Sequence, residues 1–294
     1  MNTLASSLID SSEQQSNFIT GFTHQVNGYY ATGHIDDPVR SGVLTRRYLQ
    51  SQLAEGERRV NNFLLPIIKR LNANRIIDVG CGIGAMTRHL LTNGLDAYGL
   101  DLPELSRYWQ AEALTNKHFF VVGSDELTLP FNTSSIDLAY SLGVIEHVGT
   151  AEGHSTRLPD YHARRRQWIL ELYRTIKPGG HLLIGGPNRG FPIDVAHGPD
   201  AAAPAISHLF HRATGTTIHA TWRPNFLCSY ADLKHYLADQ HAEITPLSVR
   251  GFLEFSRVPR MLRFAVRAYS ENLPRFLLGT GFNPWVMAVI RKNS

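Results

Sequence analysis

The sequence predicts an α/β fold: a doubly wound, seven-stranded sheet preceded by a helical cap and interrupted by a lid insertion. Three observations predict it. Short apolar runs alternate with amphipathic segments from residue 75 onward, a glycine-rich turn follows the first run, and the alternation stops between residues 187 and 228, where prolines crowd. Parallel neighbours need a crossover helix between them, so the alternation implies a parallel sheet.

Residues 1–74 are polar and then helical. Asp36-Asp37-Pro38 offers a helix start, and Val43, Leu44, Tyr48, Leu49 and Leu53 recur at helical spacing. Val60, Phe63, Leu64, Ile67 and Ile68 mark a second helix, which Pro66 bends or divides. This is the expected N-terminal helical cap, and residues 75–294 form the main domain. RIIDVG (75–80), DAYGLD (96–101), HFFVVG (118–123), IDLAYSL (136–142) and GHLLIGG (180–186) are too short and too uniformly apolar for surface helices, and read as strands buried on both faces. MTRHLLTNG, LSRYWQAEAL and RRRQWILELYRTI lie between them as helices, the last ending at a Lys177-Pro178-Gly179-Gly180 turn.

Pro187, Pro192, Pro199, Pro204 and Pro224 leave the 187–228 segment no period that would hold a strand, and a segment of this length inside a domain is usually a lid or binding loop. Beyond it, SYADLKHYLADQ reads as helix, EITPLSVRGF as strand, RVPRMLRFAVRAYSENL as helix and NPWVMAVIRK as the last strand.

Composition narrows the function classes. The 294 residues carry 29 Lys+Arg against 25 Asp+Glu, a formal charge of +4 without a dense basic arm, and charge alone is a weak pointer to nucleic acid. Cys81 and Cys228 are too few for a disulfide scaffold and do not form a zinc-type pair. No window has the roughly 18 apolar residues that cross a bilayer. The start MNTLASSLIDSSEQQ lacks a basic and apolar leader, so a cytoplasmic location is expected.

Asp78-Val79-Gly80-Cys81-Gly82-Ile83-Gly84 follows a strand and opens a helix. Glycines at 80, 82 and 84 let the chain turn sharply and bring backbone N–H groups against a ligand. Dinucleotide enzymes place a related glycine-rich turn here, so the turn alone does not choose among nucleotide binders. Asp101 ends the next strand, where a carboxylate accepts hydrogen bonds from ribose hydroxyls. Gly123-Ser124-Asp125-Glu126 follows the third strand and sets Ser124 and Asp125 beside the same crevice, with Asp125 able to accept from an adenine amino group. A cofactor with ribose and adenine but no pyrophosphate suits this set.

Over residues 75–187 the sequence resembles the class I S-adenosylmethionine-dependent methyltransferases, whose fold is Rossmann-like. The resemblance implies that Asp78, Gly80 and Gly82 hold the methionine part of S-adenosyl-L-methionine, Asp101 the ribose, Leu102 the adenine face and Asp125 the adenine amino group. It places Ser141, in Tyr140-Ser141-Leu142, where cofactor and substrate meet, and likens ELYRTIKPGGHLLI to the helix and turn before strand five. An N-terminal aromatic closes over the cofactor in related enzymes, which makes Tyr30 with Arg40 a candidate lid; the alternative is a staple holding the cap helix.

Methyl transfer is an in-line displacement that needs alignment, exclusion of water and, for many acceptors, removal of a proton. Glu146 and His147, just beyond strand four, are the candidate catalytic residues, and His147 titrates near neutral pH. Either could instead be structural. Ubiquinone-pathway and small-RNA methyltransferases of this family present Glu-x-x-Glu-His here and use a divalent cation. This chain has Gly143 at the first position, so no metal ligand is assigned, although Asp194 and His197 offer a different set.

The expected acceptor is an O, N or C atom of a small, partly apolar metabolite, a lipid or specialised natural product, with no nucleic-acid partner. The rivals are an RNA methyltransferase and a non-catalytic S-adenosylmethionine-binding regulatory protein. The helix with Arg260, Arg263 and Arg267 among Leu262, Phe264 and Val266 could lie on an anionic membrane, clamp an acidic substrate or face the core; its place between the last strands favours the core.

Overall fold

The structure is a computed structural model that describes residues 41–293 except 103–116, 123–127, 152–155, 196 and 257, and for 41–49 only the helical backbone. The Asp36-Asp37-Pro38 start, the LSRYWQAEAL helix, and Tyr30, Arg40, Ser124 and Asp125 lie outside the described residues.

Helix α1 (Ser41–Arg59) runs through a π-turn (Val60–Leu64) into α2 (Leu65–Leu71). Pro66, in the first turn of α2, has no N–H to donate, and the wider turn precedes it, so the two expected helices are one interrupted helix. Then come β1 (Arg75–Val79), α3 (Ala85–Thr92), β2 (Asp96–Asp101), β3 (Phe119–Val121), β4 (Ile136–Leu142), α4 (Tyr161–Thr175), β5 (Ile176–Pro187), α5 (Ala205–Thr214), α6 (Tyr230–Tyr236), β6 (Ala242–Pro246), α7 (Arg263–Glu271) and β7 (Trp285–Lys292).

The seven strands form one sheet in the order β6-β7-β5-β4-β1-β2-β3. β1 pairs in parallel with β2 (Asp78↔Gly99) and with β4 (Asp78↔Tyr140), which puts the reversal of strand order at β1. The all-parallel expectation fails at β7, which runs antiparallel to both β5 (Ala288↔Ile184) and β6 (Thr245↔Val289). β7, the last strand in the chain, lies between β5 and β6 and so pairs antiparallel on both sides. The Lys177–Gly180 segment is also not a free turn. It is part of β5, with the register shifting between Ile136↔Ile176 and Leu138↔His181, and Gly179 takes φ +78° there.

Alternation along the strands sorts side chains onto two faces. Ile77, Val79, Leu182 and Ile184 join Ile169 and Leu172 of α4 and Leu233 and Tyr236 of α6. Ile76, Tyr140, Leu183 and Met287 join Val60, Phe63, Leu64 and Ile67 of the N-terminal helices, Leu90 of α3 and Phe252. The cap helices therefore share one sheet face with α3 and Phe252.

Residues 187–228 do contain strands, contrary to expectation. Ile193–Asp194 pairs antiparallel with Thr217–Ile218, α5 lies between them, and a bridge from Asn188 to Cys228 closes the base of the insertion. The basic helix α7 departs most from expectation. It faces solvent, with Phe264 84% exposed and Ser270 its buried residue.

Candidate functional site

The carboxyl ends of β1, β2, β4 and β5 bring the predicted residues to one edge of the sheet. At the end of β1 the chain turns through Gly80, Gly82 and Gly84, with φ of +88°, +59° and +76°. A Cβ at Gly80 would lie 2.1 Å from Val144 Cγ2, whereas one at Gly82 would meet nothing within 4 Å. Glycine at 80 is thus demanded by both conformation and space, and at 82 by conformation, with open room above the loop. Gly80 N and Cys81 N donate to Leu100 O at 2.8 and 3.0 Å, which holds the loop on β2 and presents the first turn of α3 to the crevice.

Asp101, 8% exposed, links β2 to this loop: its Oδ2 accepts from Gly82 N at 2.5 Å and its Oδ1 from Leu102 N at 2.7 Å. Asp78 is deeper, at 2% exposure, and its Oδ2 accepts from the Thr87 hydroxyl of α3 at 3.0 Å. Burial raises its pKa to about 7, against hydrogen bonding that favours the carboxylate. Ser141 is buried, and its hydroxyl donates to Val79 O at 2.6 Å. That bond ties β4 to β1 and uses the hydroxyl's one proton.

Beyond β4 a second cluster assembles. Gly143 (φ +79°) turns the chain so that the Glu146 side chain lies back beside β5, where a Cβ on Gly186 would come within 2.9 Å of Glu146 Oε2. Glu146 is 1% exposed, and neither carboxylate oxygen has a hydrogen-bond partner among the described residues. Burial pushes its pKa up, opposed by the nearby His197. A bare buried carboxylate is costly, so this group is expected to meet a proton, an ion or a substrate.

His197, from the insertion, faces it. Its Nε2 is 3.7 Å from Glu146 Oε1 and its Nδ1 is 2.9 Å from Asp194 Oδ2. Asp194 also takes His197 N at 3.1 Å and stands 3.4 Å from His219 Nε2. With Nδ1–H donated to Asp194, the Nε2 of His197 is directed at Glu146. The His147 ring lies 5.6 Å from that of His197, and Phe226 sets its edge against His197 and His219. Beneath them Arg165 of α4 is fully buried and donates to the carbonyls of Glu146, Val148 and Phe226 at 3.0, 3.0 and 2.6 Å.

Glu146, His147 and His197 each offer a ligand atom, all within 4.8 Å of one another. One carboxylate and two imidazoles suit a divalent ion, and Gly143 adds nothing to the set. Glu146 and His147 were legible in the sequence, and Asp194 and His197 were noted apart from them. His219 and Arg165 were not singled out. His219 was one of several histidines in the insertion, and Arg165 sits in an Arg164-Arg165-Arg166 run that reads as a solvated helix face.

A glycine loop and two carboxylates at the switch point of a doubly wound sheet, with an acid and histidine cluster beside them, define a nucleotide-cofactor α/β domain. Residues 77–184 match the family model described as a methyltransferase domain. The chain is 30% identical over 116 residues to the chloroplastic tocopherol O-methyltransferase of Arabidopsis thaliana, covering 37% of this chain and 29% of that protein. It is 26% identical over 180 residues to a sterol 24-C-methyltransferase of Schizosaccharomyces pombe, covering 58% and 44%. It is 33% identical over 112 residues to a probable tRNA methyltransferase 9B of Mus musculus, covering 37% and 21%. The chain thus spans less than half the length of these relatives.

Proposed function

We propose that the protein transfers the methyl group of S-adenosyl-L-methionine to an oxygen, nitrogen or carbon atom of a small, partly apolar acceptor. The observation that carries this reading is the link from Asp101 Oδ2 to Gly82 N, which joins the ribose-type carboxylate to the glycine loop of a methyltransferase domain. S-adenosylmethionine supplies an electrophilic methyl on a sulfonium: the acceptor–carbon bond forms as the carbon–sulfur bond breaks, and neutral S-adenosylhomocysteine leaves.

The chain's own residues bind and orient. Asp101 accepts from the ribose hydroxyls, the Gly80–Gly84 loop and Asp78 hold the methionine end, and Leu102 lies on the adenine side. At the acceptor end, His147 or the Glu146–His197 pair takes the proton that the acceptor loses. Asp194 keeps His197 in the tautomer that faces Glu146, and Arg165 holds the Glu146 backbone. The insertion excludes water from this end.

A small acceptor is favoured by the 1% exposure of Glu146, which lies behind the insertion, and the tocopherol and sterol relatives act on apolar molecules by their names. Supplying the full protein with methyl-labelled S-adenosylmethionine, a cell's organic-soluble small molecules and its RNA tests this. Label is expected in the organic-soluble fraction, and label in RNA alone would overturn the small-acceptor reading.

The Glu146, His147 and His197 set favours a second reading of the same step. These residues would hold a divalent cation that orients an oxygen acceptor, and activity would then fall on chelation and return with added metal.

A further inference from the structure

We propose that the segment around α7 docks the protein on the surface of an anionic phospholipid membrane. Between residues 256 and 282 the chain carries five arginines, Arg257, Arg260, Arg263, Arg267 and Arg275, against the single acid Glu271. Interleaved with them, Met261, Phe264 and Phe276 are 94%, 84% and 79% exposed, so large apolar side chains stand in water beside guanidinium groups. The three lie within sixteen positions of one basic segment, which pairs exposed apolar groups with positive charge along the chain.

Polar contacts at its two ends hold α7 to the body, together with Arg267 over the Phe255 ring at 5.2 Å. At its start Arg263 donates to the carbonyls of Val258 and Ser256 at 2.9 and 2.6 Å. At its end Arg250 donates to Glu271 O at 3.2 Å and to the Asn272 side chain, and Tyr269 donates to Phe282 O at 2.6 Å. The one acid is engaged with the body, its Oε1 accepting from Gly251 N at 3.4 Å. Arg260 and Arg275 have no carboxylate partner among the described residues. Charge complementarity therefore selects the occupant: a surface of fixed negative charge with an apolar layer beneath it takes both arginines and aromatics, whereas an acidic protein groove would leave Met261 and Phe264 without an apolar counterpart.

The segment also adjoins the mouth of the insertion. The Tyr269 ring stacks on Phe191 at 6.2 Å, and Asn188 donates to Thr280 O and Asn283 O at 2.9 and 2.8 Å. A membrane bound here would lie next to the insertion that covers Glu146. The docking itself rests on the α7 segment and does not depend on methyl transfer.

The test is flotation of the full chain, without S-adenosylmethionine, on vesicles of phosphatidylcholine alone and of phosphatidylcholine with phosphatidylglycerol. Binding is expected to the anionic vesicles and to weaken as salt rises, because the attraction acts over about 8–10 Å at moderate ionic strength. The Arg260→Glu/Arg275→Glu and Met261→Ser/Phe264→Ser variants should each lose about tenfold in bound fraction, with melting temperature unchanged because these side chains are exposed. Absence of binding to anionic vesicles, or binding that neither variant weakens, overturns the proposal. So does a wild-type dimer that the Met261→Ser/Phe264→Ser variant dissociates, since that would assign the surface to a second copy of the chain.

Discussion

The backbone N–H of Gly82 donates to the Asp101 carboxylate at 2.5 Å, so two residues from successive strand ends hold each other before any ligand arrives. Asp101→Ala removes this link together with the acceptor for ribose hydroxyls. S-adenosylhomocysteine affinity is expected to fall about ten- to hundredfold, the loss of roughly 1.5–3 kcal/mol for hydrogen bonds to a charged group. Calorimetric titration measures it, and unchanged affinity would remove Asp101 from the cofactor site.

Gly80 and Gly82 share a left-handed backbone but differ in their surroundings. Gly80→Ala drives a Cβ against Val144 and should destabilise the fold by about 1–3 kcal/mol, measured by urea unfolding. Gly82→Ala meets no atom and should cost less stability, while intruding on the space where the donor is expected. Equal destabilisation by both would contradict the packing at Val144.

Asp78 gives the donor-free protein a pH signature. Its pKa of about 7 is above its ordinary value of 3.8, so between those pH values the folded state binds more protons than the unfolded one. Stability from this group is full below the lower value and declines as pH rises through the window; Asp78→Asn should flatten the decline. A cationic donor favours the carboxylate, so binding near pH 7 should release protons. Titration in buffers of different ionisation enthalpy detects this, and proton uptake would contradict it.

The Glu146 cluster should separate chemistry from donor binding. Glu146→Gln and His147→Ala are each expected to lower kcat about a hundredfold or more while leaving S-adenosylhomocysteine affinity within a factor of about two. Glu146→Gln should also raise the melting temperature at alkaline pH, because it replaces a carboxyl whose ionisation burial disfavours. A parallel loss of kcat and donor affinity would make both residues part of the cofactor pocket.

Arg165 supports that cluster from below. Arg165→Met leaves the carbonyls of Glu146, Val148 and Phe226 without their donor and should cost about 2–4 kcal/mol in urea unfolding. A near-neutral change would show that water replaces the guanidinium there.

What was legible in the sequence follows how local its causes are. The strands from 75 to 142 are continuous apolar runs and the glycine loop is a run of short-range constraints, so Gly80 and Asp101 were readable from spacing, while the role expected of Asp78 came from the family resemblance. β7 was legible as a strand but not in its direction, which depends on its distant partners β5 and β6. The short pairing of Ile193–Asp194 with Thr217–Ile218 was hidden by prolines and by a separation that no local period reports. His197 is a loop residue 51 positions after Glu146, and only the folded insertion brings its ring to 3.7 Å. Its place between the last two strands made α7 look core-facing, but connectivity carries no record of what covers a helix, and the structure leaves Phe264 in solvent.

Calorimetric titration of the full chain with S-adenosylmethionine tests the central claim most directly. One donor per chain, bound with a dissociation constant in the micromolar range or below, is predicted. No heat of binding at millimolar donor would contradict the convergence of Asp78, the glycine loop and Asp101 on an adenosyl ligand.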